Sequence, residues 1–142
     1  MGSHVARIGN AILAFRGAYG FLSNLYVEPD GSHVEGEYQR AKCAFYFERH
    51  LFDGLSPLDA KRVGRRVTIR EDWEDVKVDI MLFYVRKKFA DHPDLLAKLV
   101  STRPVQLVEG NTWGDTFWGV CRGQGLNALG EILMLVRDSH VG

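Results

Sequence analysis

At residues 34–42 the chain reads Val-Glu-Gly-Glu-Tyr-Gln-Arg-Ala-Lys, and the polar side chains of this stretch repeat at helical spacing. In a helix, one face carries the side chains spaced at i, i+3, i+4 and i+7, which here are Glu35, Tyr38, Gln39 and Lys42. An ordinary core helix has apolar residues at that spacing, whereas this face is polar throughout. The pattern predicts a helix that contributes a carboxylate and an amine to a functional site. The alternative is a solvated surface face whose Glu–Lys pair contributes little.

A second segment, at residues 107–119, reads Leu-Val-Glu-Gly-Asn-Thr-Trp-Gly-Asp-Thr-Phe-Trp-Gly. It combines aromatic residues, glycines and an acid, as loops that shape a pocket often do. A structural role is the alternative, with the tryptophans anchoring a core and Asp115 forming an Asx turn. We expect Glu35 and Lys42 to face the same cavity as this loop. Together the two segments indicate an enzyme that acts on a flat, polar small molecule or a nucleobase.

Composition excludes several classes of protein. The 142 residues are enough to bury a core within one domain, and 46% are hydrophobic and 25% charged. Lys and Arg total 18, as do Asp and Glu, so no basic excess indicates strong nonspecific binding to DNA. The apolar runs are too short to span a bilayer and no secretory segment is recognisable, so we expect a cytoplasmic protein without a membrane partner. Residues 1–4 resemble an expression-tag remnant.

The cysteines and histidines do not predict a metal or cofactor site. Cys43 and Cys121 are too few for a disulfide framework, and the sequence has neither a CxxC motif nor histidines at metal-ligand spacing. Cys43 is expected to pack as a small hydrophobe. We therefore predict catalysis that uses no metal, cofactor or thiol.

Pattern and turn chemistry predict an α+β fold in one domain spanning residues 1–142, mostly helical with a few short strands. Strands are predicted at residues 11–15, 25–27 and 105–108, and a turn at 29–32. The helices are predicted at residues 36–52, 57–65, 72–88, 93–102 and 126–136.

A glycine-rich stretch precedes the last predicted helix and reads Gly-Gln-Gly-Leu-Asn at residues 123–127. Its spacing does not fit GxGxxG, and no clear βαβ unit surrounds it, so a dinucleotide fold is not indicated. A turn at Gly123 and Gly125 that leads into a helix N-terminus can hold a phosphate through backbone N–H groups. A tight turn with no ligand is the equally weighted alternative.

Four sequence elements resemble motifs of the NADAR family, also called YbiA-like. Residues 19–24 are similar to its Y-G-x-x-S-N element, and residues 35–42 to its E-H-x-[YF]-Q-A-x-K helix start. Residues 73–81 resemble W-x-x-V-K-x-x-x-M, and residues 107–109, 115–119 and 123–130 resemble its C-terminal signature. The resemblance extends from Phe15 to Arg137. One position departs from the pattern, because Gly36 stands where the family has a histidine, so a proton relay through that histidine is in doubt here.

The resemblance implies an N-glycosidase, which hydrolyses the bond between ribose C1′ and a nitrogen of a base. One implied substrate class is ADP-ribose on guanine in DNA, in a nucleotide or single strand, removed by an antitoxin paired with a DarT-type ADP-ribosyltransferase toxin. The other is the phosphoribosylamino-pyrimidine intermediates of riboflavin synthesis. A module that binds ADP-ribose or NAD without cleaving it is a further alternative.

The resemblance, carried over by position, places the essential acid at Glu35, the helix lysine at Lys42, and the site aromatics and acid at Trp73, Asp115 and Trp118. With the residue patterns described above, it leads us to predict a role for each candidate residue. Glu35 would be the principal acid/base, and Lys42 would either attack C1′ or hold the carboxylate and a ribose hydroxyl. Tyr38 and Gln39 would line the substrate site. Asp115 would orient water or a ribose hydroxyl, and Trp73 and Trp118 would stack on the base. Asn24 would hydrogen-bond the edge of the base, and the turn at Gly123 and Gly125 would bind a phosphate.

Overall fold

The computed structural model describes residues 7–8 and 10–140, so the tag remnant predicted at residues 1–4 lies outside the described residues. The architecture is α+β and mostly helical, as the sequence predicts. The chain forms two compact units, the first comprising residues 1–23 and 89–142 and the second residues 24–88. Among the described residues, no helix is both long and apolar enough to cross a membrane.

The second unit contains most of the helical residues that carry the predicted site. Its elements are α1 (Val34–Lys42), a 3₁₀ helix (Tyr46–Phe52), α2 (Pro57–Val63) and α3 (Trp73–Asp91), the last of which continues beyond residue 88. A small core of Cys43, Phe52, Ala60 and Val67 joins the segments between α1 and α3. This packing fixes the end of α1 against the 3₁₀ helix and α2.

Helix α1 ends ten residues earlier than the predicted helix at residues 36–52, so that prediction is wrong about its length. Cys43 is extended, with φ −68° and ψ 130°, and pairs with Ile69 in an antiparallel bridge. The N–H of Ala44 donates to the carbonyl of Thr68 at 2.7 Å, and the N–H of Arg70 donates to the carbonyl of Lys42 at 3.0 Å. These bonds replace helical ones, and the chain resumes as a 3₁₀ helix at Tyr46. Cys43 is buried as expected, although it caps the helix rather than lying within it.

The first unit combines short strands with two helices. In one sheet β1 (Arg7–Ile8) pairs antiparallel with β2 (Ala11–Ile12), which pairs in parallel with β3 (Gln106–Leu107). A second, two-stranded parallel sheet joins β4 (Gly110–Asn111) to β5 (Val120–Cys121). Helices α4 (Pro93–Ser101) and α5 (Ala128–Asp138) complete the unit, after a 3₁₀ helix at Gly17–Leu22. The strands are shorter than predicted, and residues 25–27 form no strand; the turn at 29–32 is present, with the side chain of Asp30 accepting from Ser32.

A buried arginine links the helices of the first unit to its strands. Arg137 in α5 donates to the carbonyl of Val105 at 2.6 Å and to the hydroxyl of Thr102 at 3.2 Å. Its side chain also bonds Asp138. Because a buried guanidinium needs several acceptors, this set satisfies the group while tying α5 to the segment that leads into β3.

Candidate active site

The first turn of α1 positions a buried carboxylate. Glu35 is 8% exposed, and its backbone N–H donates to the carbonyl of Asn24 at 3.1 Å. Its side chain accepts a hydrogen bond from Nε2 of Gln39 at 2.7 Å, one helical turn later. Residue 35 therefore lies in a helix as predicted, and its carboxylate is buried from solvent.

The environment of Glu35 favours the protonated acid. Burial raises the pKa of the Glu35 carboxyl, because it disfavours the charged form. The hydrogen bond from Gln39 acts in the opposite direction, as do the positive charges of Lys61 and Lys42, without offsetting the burial. A carboxyl group in this state keeps its proton to higher pH than an exposed one and can give that proton to a leaving group.

Lys42 lies seven residues after Glu35 on the same face of α1, and it is partly buried. Burial lowers the pKa of the Lys42 amine, and the negative charge of Glu35 counters that shift. An amine with a lowered pKa is neutral more often, which is the form that attacks a carbon centre. The acid and the amine are thus electrostatically coupled and shifted in opposite directions.

Gln39 carries a buried oxygen that lacks a partner. Its Oε1 has no hydrogen-bond donor within the described part of the chain, while its Nε2 is committed to Glu35. A Cβ built on Gly64 would lie 2.0 Å from this oxygen, so the glycine makes room for the amide. Since buried polar atoms are rarely left unpaired, a water molecule or a ligand hydroxyl is expected here.

The aromatic residues of the second unit support α1. The rings of Tyr38 and Trp73 lie with centroids 4.9 Å apart at 55°, and both residues are buried. Asn24 donates from Nδ2 to the sulfur of Met81 at 3.4 Å. Because the ring of Trp73 already packs against Tyr38, less of its surface is left to contact a base.

The aromatic loop belongs to the first unit, and side-chain hydrogen bonds hold its shape. Oδ1 of Asp115 accepts from the N–H groups of Phe117 and Trp118 at 3.2 and 2.9 Å. Asn111 accepts from the N–H of Asp115 and donates to its carbonyl. Asp115 thus has the structural role that sequence offered as its alternative, and its catalytic role stays a prediction. Trp118 is half-buried, with its ring edge-on to Phe117 at 4.8 Å.

The glycine-rich stretch forms a tight turn before α5. Cys121 and Gln124 exchange backbone hydrogen bonds at 2.8 and 3.1 Å, and Arg122 and Gly123 between them have positive φ. The N–H groups of residues 126–129 donate to carbonyls of residues 116–119. Most backbone N–H groups at the N-terminus of α5 are therefore already bonded to carbonyls of the aromatic loop. A phosphate would depend on the remaining N–H groups near Gly123 and Gly125.

Comparisons with known proteins place these observations in a family. The NADAR domain profile matches residues 15–139. The chain belongs to the NADAR domain family.

NADAR relatives match the chain over different lengths. An N-glycosidase of Nostoc punctiforme, Npun_R5314, is 36% identical over 136 residues, 84% of this chain and 85% of the relative. The riboflavin biosynthesis protein PYRR of Arabidopsis thaliana is 40% identical over an alignment of 94 residues that covers 61% of this chain and only 16% of that protein. The NMR structure of the Escherichia coli protein YbiA superposes with a TM-score of 0.78 at 32% identity, covering 96% of this chain and 88% of that one.

The departure from the NADAR motif at Gly36 has a structural counterpart. His33 caps α1, its Nδ1 accepting from the N–H of Gly36 at 2.9 Å, and its Nε2 lies 2.9 Å from the carbonyl of Leu55. A Cβ on Gly36 would lie 2.6 Å from the imidazole, so the ring of His33 takes the space beside residue 36. Both ring nitrogens are engaged, Nδ1 as the acceptor for Gly36 and Nε2 at the carbonyl of Leu55, so His33 serves as the cap of α1.

Sequence reasoning missed His33, Lys61 and Asn111. His33 precedes the helix at the capping position, a signal that was available, although histidine is not among the usual capping residues. Lys61 acts on Glu35 from α2, and Asn111 holds the aromatic loop. Neither contact has a local sequence signal, because each depends on packing between separate segments.

Proposed function

We propose that this NADAR chain is an N-glycosidase that cleaves the bond between ribose C1′ and a nitrogen of a guanine-like base. The observation that carries the proposal is the buried acid Glu35, with a raised pKa, on one helix face with Lys42, whose pKa is lowered. The names of the Npun_R5314 and YbiA relatives support the reaction class.

The reaction needs a proton for a poor leaving group and a nucleophile for C1′. Glu35 donates its proton to the base nitrogen as the C1′–N bond breaks, and the bonding electron pair leaves with the nitrogen. The resulting Glu35 carboxylate takes a proton from water as the oxygen of that water adds to C1′. The products are the free base or amine and the ribose with a hydroxyl at C1′, and Glu35 is again protonated.

Lys42 has two possible roles in this scheme. In the covalent version the C1′–O bond of the ribose ring breaks as Glu35 protonates the ring oxygen, and the amine of Lys42 adds to C1′. The base leaves as its free amine with a proton from Lys42, and water hydrolyses the resulting Schiff base, which frees Lys42 and the C1′ aldehyde of the sugar and returns a proton to Glu35. In the electrostatic version Lys42 holds the Glu35 carboxylate and a ribose hydroxyl.

Borohydride trapping with a matched substitution separates the two versions. The covalent version predicts a reduced adduct on the wild type that is absent from Lys42→Arg, together with a loss of activity of about a hundredfold or more. Lys42→Arg keeps the positive charge, so the electrostatic version predicts substantial activity and no adduct on either protein.

The other candidate residues are proposed to bind substrate. Asn24 hydrogen-bonds the base edge, and Tyr38 and Gln39 line the ribose side, where the unpartnered oxygen of Gln39 suits a hydroxyl donor. Trp73 and Trp118 contact the base. We assign Asp115 to orienting water and the Gly123–Gly125 turn to a phosphate.

ADP-ribose on guanine is the proposed substrate, with the chain serving as antitoxin to a DarT-type ADP-ribosyltransferase. The similarity to PYRR favours a second candidate, a phosphoribosylamino-pyrimidine of riboflavin synthesis. Both carry ribose on an exocyclic amine of a similar ring. Incubating the purified protein with each substrate tests the choice, with mass spectrometry measuring the ADP-ribose freed from the first and the aminopyrimidine freed from the second. Release from the ADP-ribosylated substrate alone supports the first, and release from the pyrimidine alone supports the second.

Protection in cells tests the proposed antitoxin role. Co-expression with a DarT-type toxin is expected to restore growth and remove ADP-ribose from DNA, and Glu35→Gln is expected to restore neither. Growth restored equally by Glu35→Gln would point to binding without cleavage, the role of a module that recognises ADP-ribose.

A further inference from the structure

A concave surface of the second unit lies away from the proposed active site. It has a volume of about 560 Å³ and is lined by three arginines and apolar or aromatic groups: Arg40, Arg49, Arg70, Ile80, Phe83 and Tyr84. We call this surface the arginine cleft. The cleft residues on α1 lie about half a turn around the helix axis from Glu35 and Lys42. The arginine cleft is therefore on a different side of α1 from these two residues. The volume is in the range of pockets that hold one small molecule or nucleotide.

The three guanidinium groups of the arginine cleft are not equivalent. Arg40 is paired with Glu37 and with Asp53, and Arg70 makes two bonds to Asp72 at 2.6 and 3.0 Å. Arg49 has no carboxylate partner among the described residues, and its Nε is buried without a hydrogen-bond acceptor. A buried N–H of a cation without an acceptor indicates that an anion or water belongs there.

Exposed aromatic rings border this cation. The guanidinium of Arg49 lies 5.5 Å from the ring of Tyr46, which is 70% exposed. Phe83, which lines the same cleft, is 60% exposed and packs edge-on against Tyr84 at 5.0 Å. Large exposed rings beside an arginine form a surface on which an unstacked base can lie.

We propose that the arginine cleft binds single-stranded nucleic acid, with a phosphate at Arg49 and a base on Phe83 or Tyr46. A single strand fits better than a duplex because stacking needs a base whose faces are free. Two carboxylates, Glu37 and Asp79, also line the cleft, and Glu37 is neutralised by Arg40. The site therefore holds one phosphate, at Arg49, rather than a long polyanion, which agrees with the neutral net charge of the chain. The inference is independent of which substrate the active site cleaves.

Fluorescence anisotropy with an unmodified oligo(dT) tests the proposal without any catalytic step. A labelled strand of about 12 nucleotides covers a typical site. We expect Arg49→Gln to weaken binding by about tenfold and to reduce the salt slope by about 0.7, the value for one lost phosphate contact. Phe83→Ala is expected to weaken binding about fivefold through lost stacking. Phe83 is exposed and Arg49 is half-buried, so thermal unfolding is measured to check that both variants fold.

Arg62→Gln is the matched control, because Arg62 is exposed on α2, pairs with Asp59 and does not line the arginine cleft. It removes the same charge and is expected to leave binding unchanged. Equal losses in Arg49→Gln and Arg62→Gln overturn the proposal, since they indicate diffuse charge. Tighter binding of a duplex than of the single strand also overturns it. Failure of the strand to bind at about 50 mM salt overturns it too, and leaves a protein partner as the occupant of the cleft.

Discussion

At the scale of single residues, the burial of Glu35 governs the proposed chemistry. A carboxyl group that is 8% exposed and whose charged form is disfavoured costs stability when it ionises. Such a cost is typical of functional acids, because an ordinary structural role would be served by a glutamine. The pKa of the neighbouring Lys42 is lowered, so one helix face can supply both an acid and an amine.

Comparison with Glu35→Gln measures how the burial of this carboxyl group affects the free energy of unfolding. The folded protein keeps the Glu35 proton to higher pH than the unfolded chain does, since the pKa is raised from 4.5. The contribution of Glu35 to stability therefore decreases as pH rises from 4.5 through the raised pKa. Urea unfolding across this window should show the wild type losing stability relative to Glu35→Gln. Parallel pH curves for the two proteins would mean that the acid is not buried in the folded state.

At the scale of elements, α1 depends on an unusual cap. Nδ1 of His33 accepts from the N–H of Gly36, so the ring must be neutral at that nitrogen. We expect His33→Ala to lower the free energy of unfolding by about 1 kcal/mol and His33→Asn to lower it less, because asparagine also caps helices well. Urea denaturation measures both. A larger loss for His33→Asn than for His33→Ala would exclude the capping role.

The packing of α1 on α2 gives a second prediction at this scale. Gly64→Ala places a Cβ 2.0 Å from Oε1 of Gln39 and 3.2 Å from the carbonyl of Ala60. The flexible amide is the group that yields, so we expect a folded protein in which Gln39 no longer holds Glu35. Activity should fall by up to about a hundredfold, as small misplacements in active sites can cause.

A double-mutant cycle checks the route of that effect. If Gly64→Ala acts through Gln39, it should cause no further loss in a Gln39→Ala background. Additive losses in kcat would show instead that the added methyl group disturbs another part of the site.

Local patterns predicted the beginnings of elements better than their ends. Spacing placed the polar face of α1 correctly, and Pro57 and Pro93 marked the starts of α2 and α4. The sequence could not reveal that residues 42–44 pair with residues 68–70, since that bond pattern joins distant segments. The roles of Lys61 and Asn111 were hidden for the same reason. Whether Glu35, Lys42 and the aromatic loop share one cavity stays a prediction.

At the scale of the whole molecule, a buried lysine links stability to pH. Lys88 in α3 is 3% exposed, and burial lowers its pKa to about 8. Its amine lies 5.1 Å from the ring of Tyr26, and the charge of Glu28 opposes the shift. Such a lysine is expected to destabilise the fold while it is charged.

The sign of this effect can be measured against Lys88→Met. Between the folded pKa of about 8 and the ordinary value of 10.5, the unfolded chain binds more protons than the folded protein. The stability of the wild type relative to Lys88→Met should therefore rise with pH across this window and stay constant below it. A difference that does not change between these pH values would place Lys88 in a more polar environment.

The central claim is that this NADAR chain cleaves a ribosyl–base bond and uses the buried acid of α1 to do so. The most direct measurement is the release of guanosine and ADP-ribose from ADP-ribosyl-guanosine by the wild type and Glu35→Gln, with binding of the substrate followed in the same samples. We predict release by the wild type, retained binding by Glu35→Gln, and release slower by about a hundredfold or more. Equal release by both proteins, or binding by the wild type with no release from this substrate or from the riboflavin precursor, would contradict the account.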